Sequence, residues 1–268
     1  MPTASSVRPK AKTPAAKPGV AVSPWPVGEA LDRLAPLYGP PESPRIYDPI
    51  SELIYTILSQ NTADSNSIPA YHRLVTALPS WDAVADAPPE MVIEAIRAGG
   101  LAQIKGPRIQ AILREIRSRL GGFDLSFLAK LLLEEAKAWL RSLPGVGPKT
   151  TGCVLLFSLG MPALPVDTHV YRVALRLGYI DAKVSPDKSH DVLEAMLTPE
   201  QVLPFHMYLI NHGRKVCKAI RPLCGECVLE ARCPSSLLKT AVITPKSAAQ
   251  GASKQKGRSP RISAAKRG

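Results

Sequence analysis

Four cysteines fall within residues 217–233: Cys217, Cys224, Cys227 and Cys233, in the spacing C-x6-C-x2-C-x5-C. So many thiols in so short a stretch require the chain to wrap around something, and no other feature limits its folding as tightly. No secretory apolar segment follows the N-terminus, so an intracellular, reducing setting and a metal site are expected rather than disulfides. Zinc and an iron–sulfur cluster both accept four cysteines. Structural zinc usually takes two close pairs, and here only Cys224 and Cys227 make one, so the spacing favours a cluster and leaves zinc open. Four unrelated buried thiols are the plain alternative. The fifth cysteine, Cys153, sits in Cys153-Val154-Leu155-Leu156-Phe157 and reads as core. Between the first two cysteines lie Lys218 and Arg221, placed either to meet a phosphate backbone or to offset the charge of thiolates.

The rest of the body has helical periodicity. Asp48-Pro49 is an N-cap followed by proline at the first helical position, and Ile50, Leu53, Ile54, Ile57 and Leu58 recur at helical spacing after it. Asp64 is expected to cap the next helix, and Pro107 to open another that ends at Gly121-Gly122. Further helices are expected near 133–142, 148–158, 168–177, 186–196 and 199–213. No segment alternates with period two and no internal repeat is visible, so the fold is expected to be all-α. No apolar run is long enough to cross a bilayer.

The formal charge is +12, and its placement matters more than its size. Residues 1–27 and 236–268 contain no acid and together hold 12 of the 34 basic residues, which leaves 22 basic against 22 acidic side chains between them. These segments are rich in Pro, Ala, Ser and Lys and cannot build a core, so they are expected to be disordered tails. Basic tails on a neutral body point to a polyanionic partner, nucleic acid first, against the blander reading of a solubilising tail.

Two short motifs carry candidate chemistry. Leu143-Pro144-Gly145-Val146-Gly147-Pro148-Lys149 lies between two helical stretches. Its glycines permit a tight hairpin whose backbone N–H groups can meet phosphate without reading sequence. Lys149 falls in the first turn of the following helix, where the helix dipole opposes a cation and favours the neutral amine that a nucleophile needs. Its ordinary alternative is an exposed lysine. Asp167, in Val166-Asp167-Thr168-His169-Val170-Tyr171-Arg172, reads first as an N-cap. A carboxylate can cap with one oxygen and face a cleft with the other. His169 reads as a structural histidine.

Taken together, Leu143–Thr150, Val166–Val173, His212-Gly213-Arg214 and the four-cysteine loop resemble endonuclease III, of the helix-hairpin-helix DNA glycosylase and AP lyase superfamily. The resemblance covers roughly residues 28–235, and the motifs occur in the family's order. It implies two helical lobes around a DNA-binding cleft: a six-helix barrel over 43–161, and a cluster lobe combining 28–42 with 162–235. It also implies a 4Fe-4S cluster on the four cysteines, Lys149 as nucleophile and Asp167 as the essential carboxylate. Gly145, Val146, Gly147, Lys218 and Arg221 would contact DNA. Side chains from Gln60 or Asn61, and from Leu101, would fill the gap left by an extruded base. The alignment puts Asn61 where the family usually has Gln, a departure that leaves Gln60 as the other candidate, and a core leucine is the plain reading of Leu101.

The implied activity is removal of damaged, oxidised pyrimidines through a lysine Schiff base, followed by strand cutting. The implied partner is double-stranded DNA bearing damaged bases or abasic sites, bound by a cytoplasmic monomer with no membrane association. A glycosylase that uses water and does not cut, such as an adenine or mismatch type, lacks the lysine. A hairpin protein that only binds DNA would need neither Lys149 nor Asp167.

Overall fold

The computed structural model of the chain describes residues 25–42 and 47–240, the last two by backbone alone. Residues 1–24 and 241–268, most of the two expected tails, lie outside the described residues. Among those described there is no strand, in line with the all-α expectation. The helices are α1 (Val27–Tyr38), α2 (Pro49–Ser59), α3 (Asp64–Ala77), α4 (Trp81–Asp86), α5 (Pro89–Ala95) and α6 (Ala102–Leu120). After these come α7 (Leu133–Arg141), α8 (Pro148–Cys153), α9 (Thr168–Leu177), α10 (Pro186–Glu194) and α11 (Pro199–Lys215). A short α12 (Leu237–Thr240) falls in a second unit beginning at Leu237.

The local signals explain most boundaries. Asp48 accepts from the Ser51 N–H at 3.1 Å, with Pro49 at the first position of α2. Gly121, at φ 72°, closes α6 in the left-handed conformation that glycine adopts without cost. Two expectations need correction. Ala63, not Asp64, holds the N-cap position of α3, and Asp64 is its first residue, where a carboxylate suits the helix dipole. Pro107 does not open a helix but lies inside α6, which starts five residues earlier, at Ala102, after a left-handed Leu101.

Buried side chains form two clusters. The first runs from Ile50 to Ala163 and is filled by α2 to α8, with Leu53, Ile54, Ile57, Ile109, Ile112 and Leu140 at its centre. The second joins α1 to α9, α10 and α11 through Leu34, Val170, Val173 and Phe205. Trp25 belongs to it, so the N-terminal tail ends sooner than residue 27. The ring is 1% exposed, its Nε1 donates to Leu229 O at 2.9 Å, and the guanidinium carbons of Arg33 and Arg232 each lie 4.6 Å from its centroid. Leu237–Thr240 is likewise helical, inside the stretch expected to be a tail.

Two glycines bring elements together more closely than any other residue would allow. A Cβ on Gly152 of α8 would stand 2.9 Å from Pro165 N. A Cβ on Gly213 of α11 would stand 3.0 Å from His169 Cβ. The first holds α8 against the strap leading to α9, and the second holds α11 against α9.

Candidate active site

Between α2, α8, the start of α9 and α11 lies an open cleft. Lys149 and Asp167 both line it, with Glu52, Tyr55, Cys153 and His206 among their neighbours. Asp167 caps α9 with one oxygen: Oδ1 accepts from the N–H groups of His169 (2.9 Å) and Val170 (2.7 Å), and the other oxygen is left to the cleft. Lys149 is half-buried in the first turn of α8. Burial opposes its charge, but its contact with Cys153, then the charges of Asp167 and Glu52, more than offset this and raise its pKa. The surroundings of Lys149 therefore favour the ammonium at rest, against the neutral amine expected from the helix dipole. Burial likewise pushes the Cys153 thiol up, so at neutral pH it faces Lys149 as an uncharged thiol. His206 is 3% exposed, lies 2.7 Å by Nδ1 from Pro165 O, and is pushed down to about 4, chiefly by burial. It forms a neutral part of the cleft wall.

Glu52 is the group that the sequence pattern hides. It is 1% exposed and accepts from Thr56 Oγ1 at 3.0 Å. It is the lone acid in a helix buried at every position from Ile50 to Leu58, and that isolation was the available signal. At the cleft's rim, Arg214 of α11 pairs with Asp64 of α3 at 3.3 Å.

The hairpin between α7 and α8 turns on Gly145 at φ 73°, with Arg108 packed so closely that a Cβ there would stand 2.9 Å from Nε. Val146 turns inward: its side chain is 6% exposed and its N–H donates to Leu143 O. The outward face of the turn is therefore the backbone of Gly145 and Gly147.

Among the described residues, three other than glycine have left-handed backbones, Asn61, Leu101 and Arg221, each at φ 53°. All three are among the expected DNA contacts. Such strain persists only where surrounding structure enforces it, and it concentrates at functional sites. Leu101 is 51% exposed, which sets aside the core reading. Asn61 is exposed, whereas Gln60 is engaged at both ends of its amide: Nε2 donates to Thr150 Oγ1 at 3.2 Å, and Oε1 accepts from Arg108 at 3.3 Å.

The four cysteines line one cavity, walled by apolar Val173, Leu177, Val216 and Leu223. Arg176 Nη1 lies 3.5 Å from Cys217 Sγ, and His212 Nε2 lies 3.4 Å from Cys227 Sγ. Arg176 also donates to the carbonyls of Lys218 (2.7 Å) and Ala219 (3.0 Å), fixing the loop that exposes Lys218 and Arg221. Four thiols on one cavity, with cationic or N–H donors beside two sulfurs, fit an iron–sulfur cluster. Among the described residues, no three metal-ligating side chains are gathered around a single ion position, and no helix is long and apolar enough to cross a membrane.

The chain is similar to known proteins in sequence and in fold. The family described as HhH-GPD superfamily base excision DNA repair protein matches residues 54–199. Endonuclease III of Thermotoga maritima is 34% identical over 72% of this chain and 86% of its own length. An Arabidopsis thaliana protein named as a DNA glycosylase is 38% identical over 62% of this chain, and the match spans 56% of that protein's length. Among solved structures, a non-covalent endonuclease III–DNA complex aligns with TM-score 0.70 and 27% identity, covering 80% of this chain and 97% of that one. The chain belongs to the HhH-GPD superfamily of base excision DNA repair proteins, as a DNA glycosylase of the endonuclease III type.

Proposed function

We propose that the chain is a bifunctional glycosylase and AP lyase that removes oxidised pyrimidines from duplex DNA and then cuts the strand. The observation carrying this is one cleft lined by both Lys149 and Asp167. A neighbouring structure titled as a trapped covalent endonuclease III–DNA intermediate, aligned with TM-score 0.70, supports the same chemistry. The target base is extruded, because its glycosidic carbon is unreachable within the stack. As the N-glycosidic bond breaks, electrons leave with the base and positive charge develops on the sugar. The free oxygen of Asp167 stabilises that charge. Lys149 is held as an ammonium at rest and first gives up a proton. Its nitrogen then bonds to the same sugar carbon and, after ring opening and loss of a second proton, forms a Schiff base. That adduct acidifies the neighbouring C–H, and elimination expels the 3′ phosphate.

The backbone of Gly145 and Gly147, with Lys218 and Arg221, grips phosphates, and Asn61 and Leu101 enter the stack. The first hydrophobic cluster serves as the barrel lobe and the second as the cluster lobe. Cys217, Cys224, Cys227 and Cys233 hold a 4Fe-4S cluster, which when bound supplies a rigid core for the loop. The protein acts as a monomer in the cytoplasm.

Borohydride added during turnover of a duplex containing a ring-oxidised thymine should trap a covalent protein–DNA complex. Lys149→Gln should abolish trapping and cutting while lesion DNA still binds. In the wild type, single-turnover cutting should rise with pH as the ammonium titrates. Base release without any trapping would assign the chain to the glycosylases that use water.

A further inference from the structure

The two loops expected to enter DNA, Ser59–Thr62 and Gly99–Leu101, are far apart in sequence but share one buried cation. Lys105, in the second turn of α6, is 2% exposed. Its Nζ donates to Leu58 O at 2.6 Å, to Thr62 Oγ1 at 2.7 Å and to Gly99 O at 3.0 Å. Leu58 and Thr62 bracket the first loop, and Gly99 begins the second. Thr62 Oγ1 closes the triangle by donating to Gly99 O at 2.6 Å. Three acceptors on one nitrogen use all three hydrogens of an ammonium. Burial lowers the pKa of this amine, so the three bonds are what keep its charge in place.

We propose that Lys105 is a positioning residue that couples the two loops into one rigid fork, so that Asn61 and Leu101 enter the stack as a unit. This rests on the insertion roles proposed above. Both prongs sit at φ 53°, a conformation that asparagine tolerates and leucine adopts at a cost. Neither would persist in a free loop. The pin lies directly behind both: Leu58 O is three residues before Asn61, and Gly99 O two before Leu101. Two neighbouring contacts brace the fork. Gly99 packs so tightly that a Cβ there would stand 3.0 Å from Ala70 Cβ, and Gln60 is tied to Thr150 beside Lys149. Insertion geometry is thereby linked to the nucleophile's helix. An independently moving pair would order each loop separately on DNA; a pinned pair presents a preformed shape.

The test uses the full-length protein with Lys105→Met and, because loss of a buried cation can harm folding, also Thr62→Val, which removes one corner of the triangle. Base release is measured under single turnover on a ring-oxidised thymine in a duplex and on the same lesion in an unpaired bulge. Both variants should slow the duplex reaction roughly tenfold or more and the bulge reaction by less than about threefold, because only the paired lesion needs the fork to open the stack. Asn61→Ala and Leu101→Ala should be non-additive in the wild-type background and additive when combined with Thr62→Val. Equal losses on duplex and bulge in the folded variants, or no loss on either, would overturn the proposal and leave Lys105 as ordinary core. Should Asn61→Ala and Leu101→Ala themselves leave the duplex-to-bulge ratio unchanged, the insertion reading fails first and the coupling with it. A changed ratio for those two with none for Lys105→Met and Thr62→Val rejects the coupling alone.

Discussion

Around the cleft, each reactive side chain leaves a helix end that is already packed, whereas from Val216 to Ser236 the chain has only two three-residue 3-10 turns to hold four thiols. Asp167 caps α9, Lys149 starts α8, and Gly152 and Gly213 clamp both helices against their neighbours. The cysteine loop is held by backbone hydrogen bonds of its own, such as Leu223 N–H to Val216 O, together with Arg176 on its carbonyls and Trp25 on Leu229 O. The cleft's shape is thus a product of packing. The loop has little regular structure behind its four thiols, so the two regions should fail differently when altered.

The largest effect is expected at Asp167. Asp167→Asn keeps an oxygen for the His169 and Val170 N–H groups, so thermal unfolding should stay near wild type. Base release should nevertheless fall by about 10²-fold or more, the usual loss for a charge-stabilising group in a transition state. An unfolding midpoint that drops in proportion to activity would show the carboxylate to be only a cap. Next comes Cys224→Ala. Iron and sulfide content should fall below one cluster per chain and DNA affinity should fall with it, because the loop bearing Lys218 and Arg221 loses its core. Stoichiometric zinc without sulfide in the wild-type protein would overturn the cluster assignment.

Gly152→Ala tests the packed side of the contrast. The new methyl would meet backbone atoms of Leu164 and Pro165 at 2.9–3.1 Å, and backbone cannot swing aside. Overpacking of this kind typically costs about 1–3 kcal/mol. The displaced strap leads directly to Asp167, so a single-turnover rate loss of roughly tenfold is expected beside the lower melting point, with cluster content unchanged. Unaltered catalysis would mean that the strap and α8 can separate without moving the carboxylate.

The same division decides what could be read from the sequence. Signals local to one turn were legible: the Asp48 cap with Pro49, the Gly121 stop, the glycine turn before α8, and Asp167 as a cap with a spare oxygen. The motifs that carry the family resemblance were also local, and two of them, around Lys149 and Asp167, meet at one cleft. What failed depended on distant neighbours. The ionisation of Lys149 depends on Cys153 at the far end of its own short helix, and then on Asp167 and on Glu52, nearly a hundred residues before it. Glu52 itself was concealed in an apolar stripe. Pro107 looked like a helix start, but α6 begins at Ala102, after a left-handed Leu101 that follows Gly99, whose carbonyl accepts from Lys105. Trp25 looked like tail because its partners, Leu229 and Arg232, lie some two hundred residues away.

The smallest effect is expected at Gly225, inside the cysteine loop. A Cβ there would have nothing within 4 Å, and its backbone is not left-handed, so no steric or conformational reason binds this position to glycine. Gly225→Ala should leave stability within about 0.5 kcal/mol of wild type, as substitutions away from packed features do. It should also leave iron content and lesion cutting unchanged. Set beside Gly152→Ala, it holds the chemical change constant, one added methyl, and varies only the surroundings. If Gly225→Ala instead strips the cluster or weakens DNA binding, the segment between Cys224 and Cys227 is confined by something other than its own packing, such as the bound cluster or the DNA backbone. The loop would then be as tightly specified as the cleft once its ligand is in place, and the contrast between the two regions would describe only how each is assembled, not how rigid it becomes.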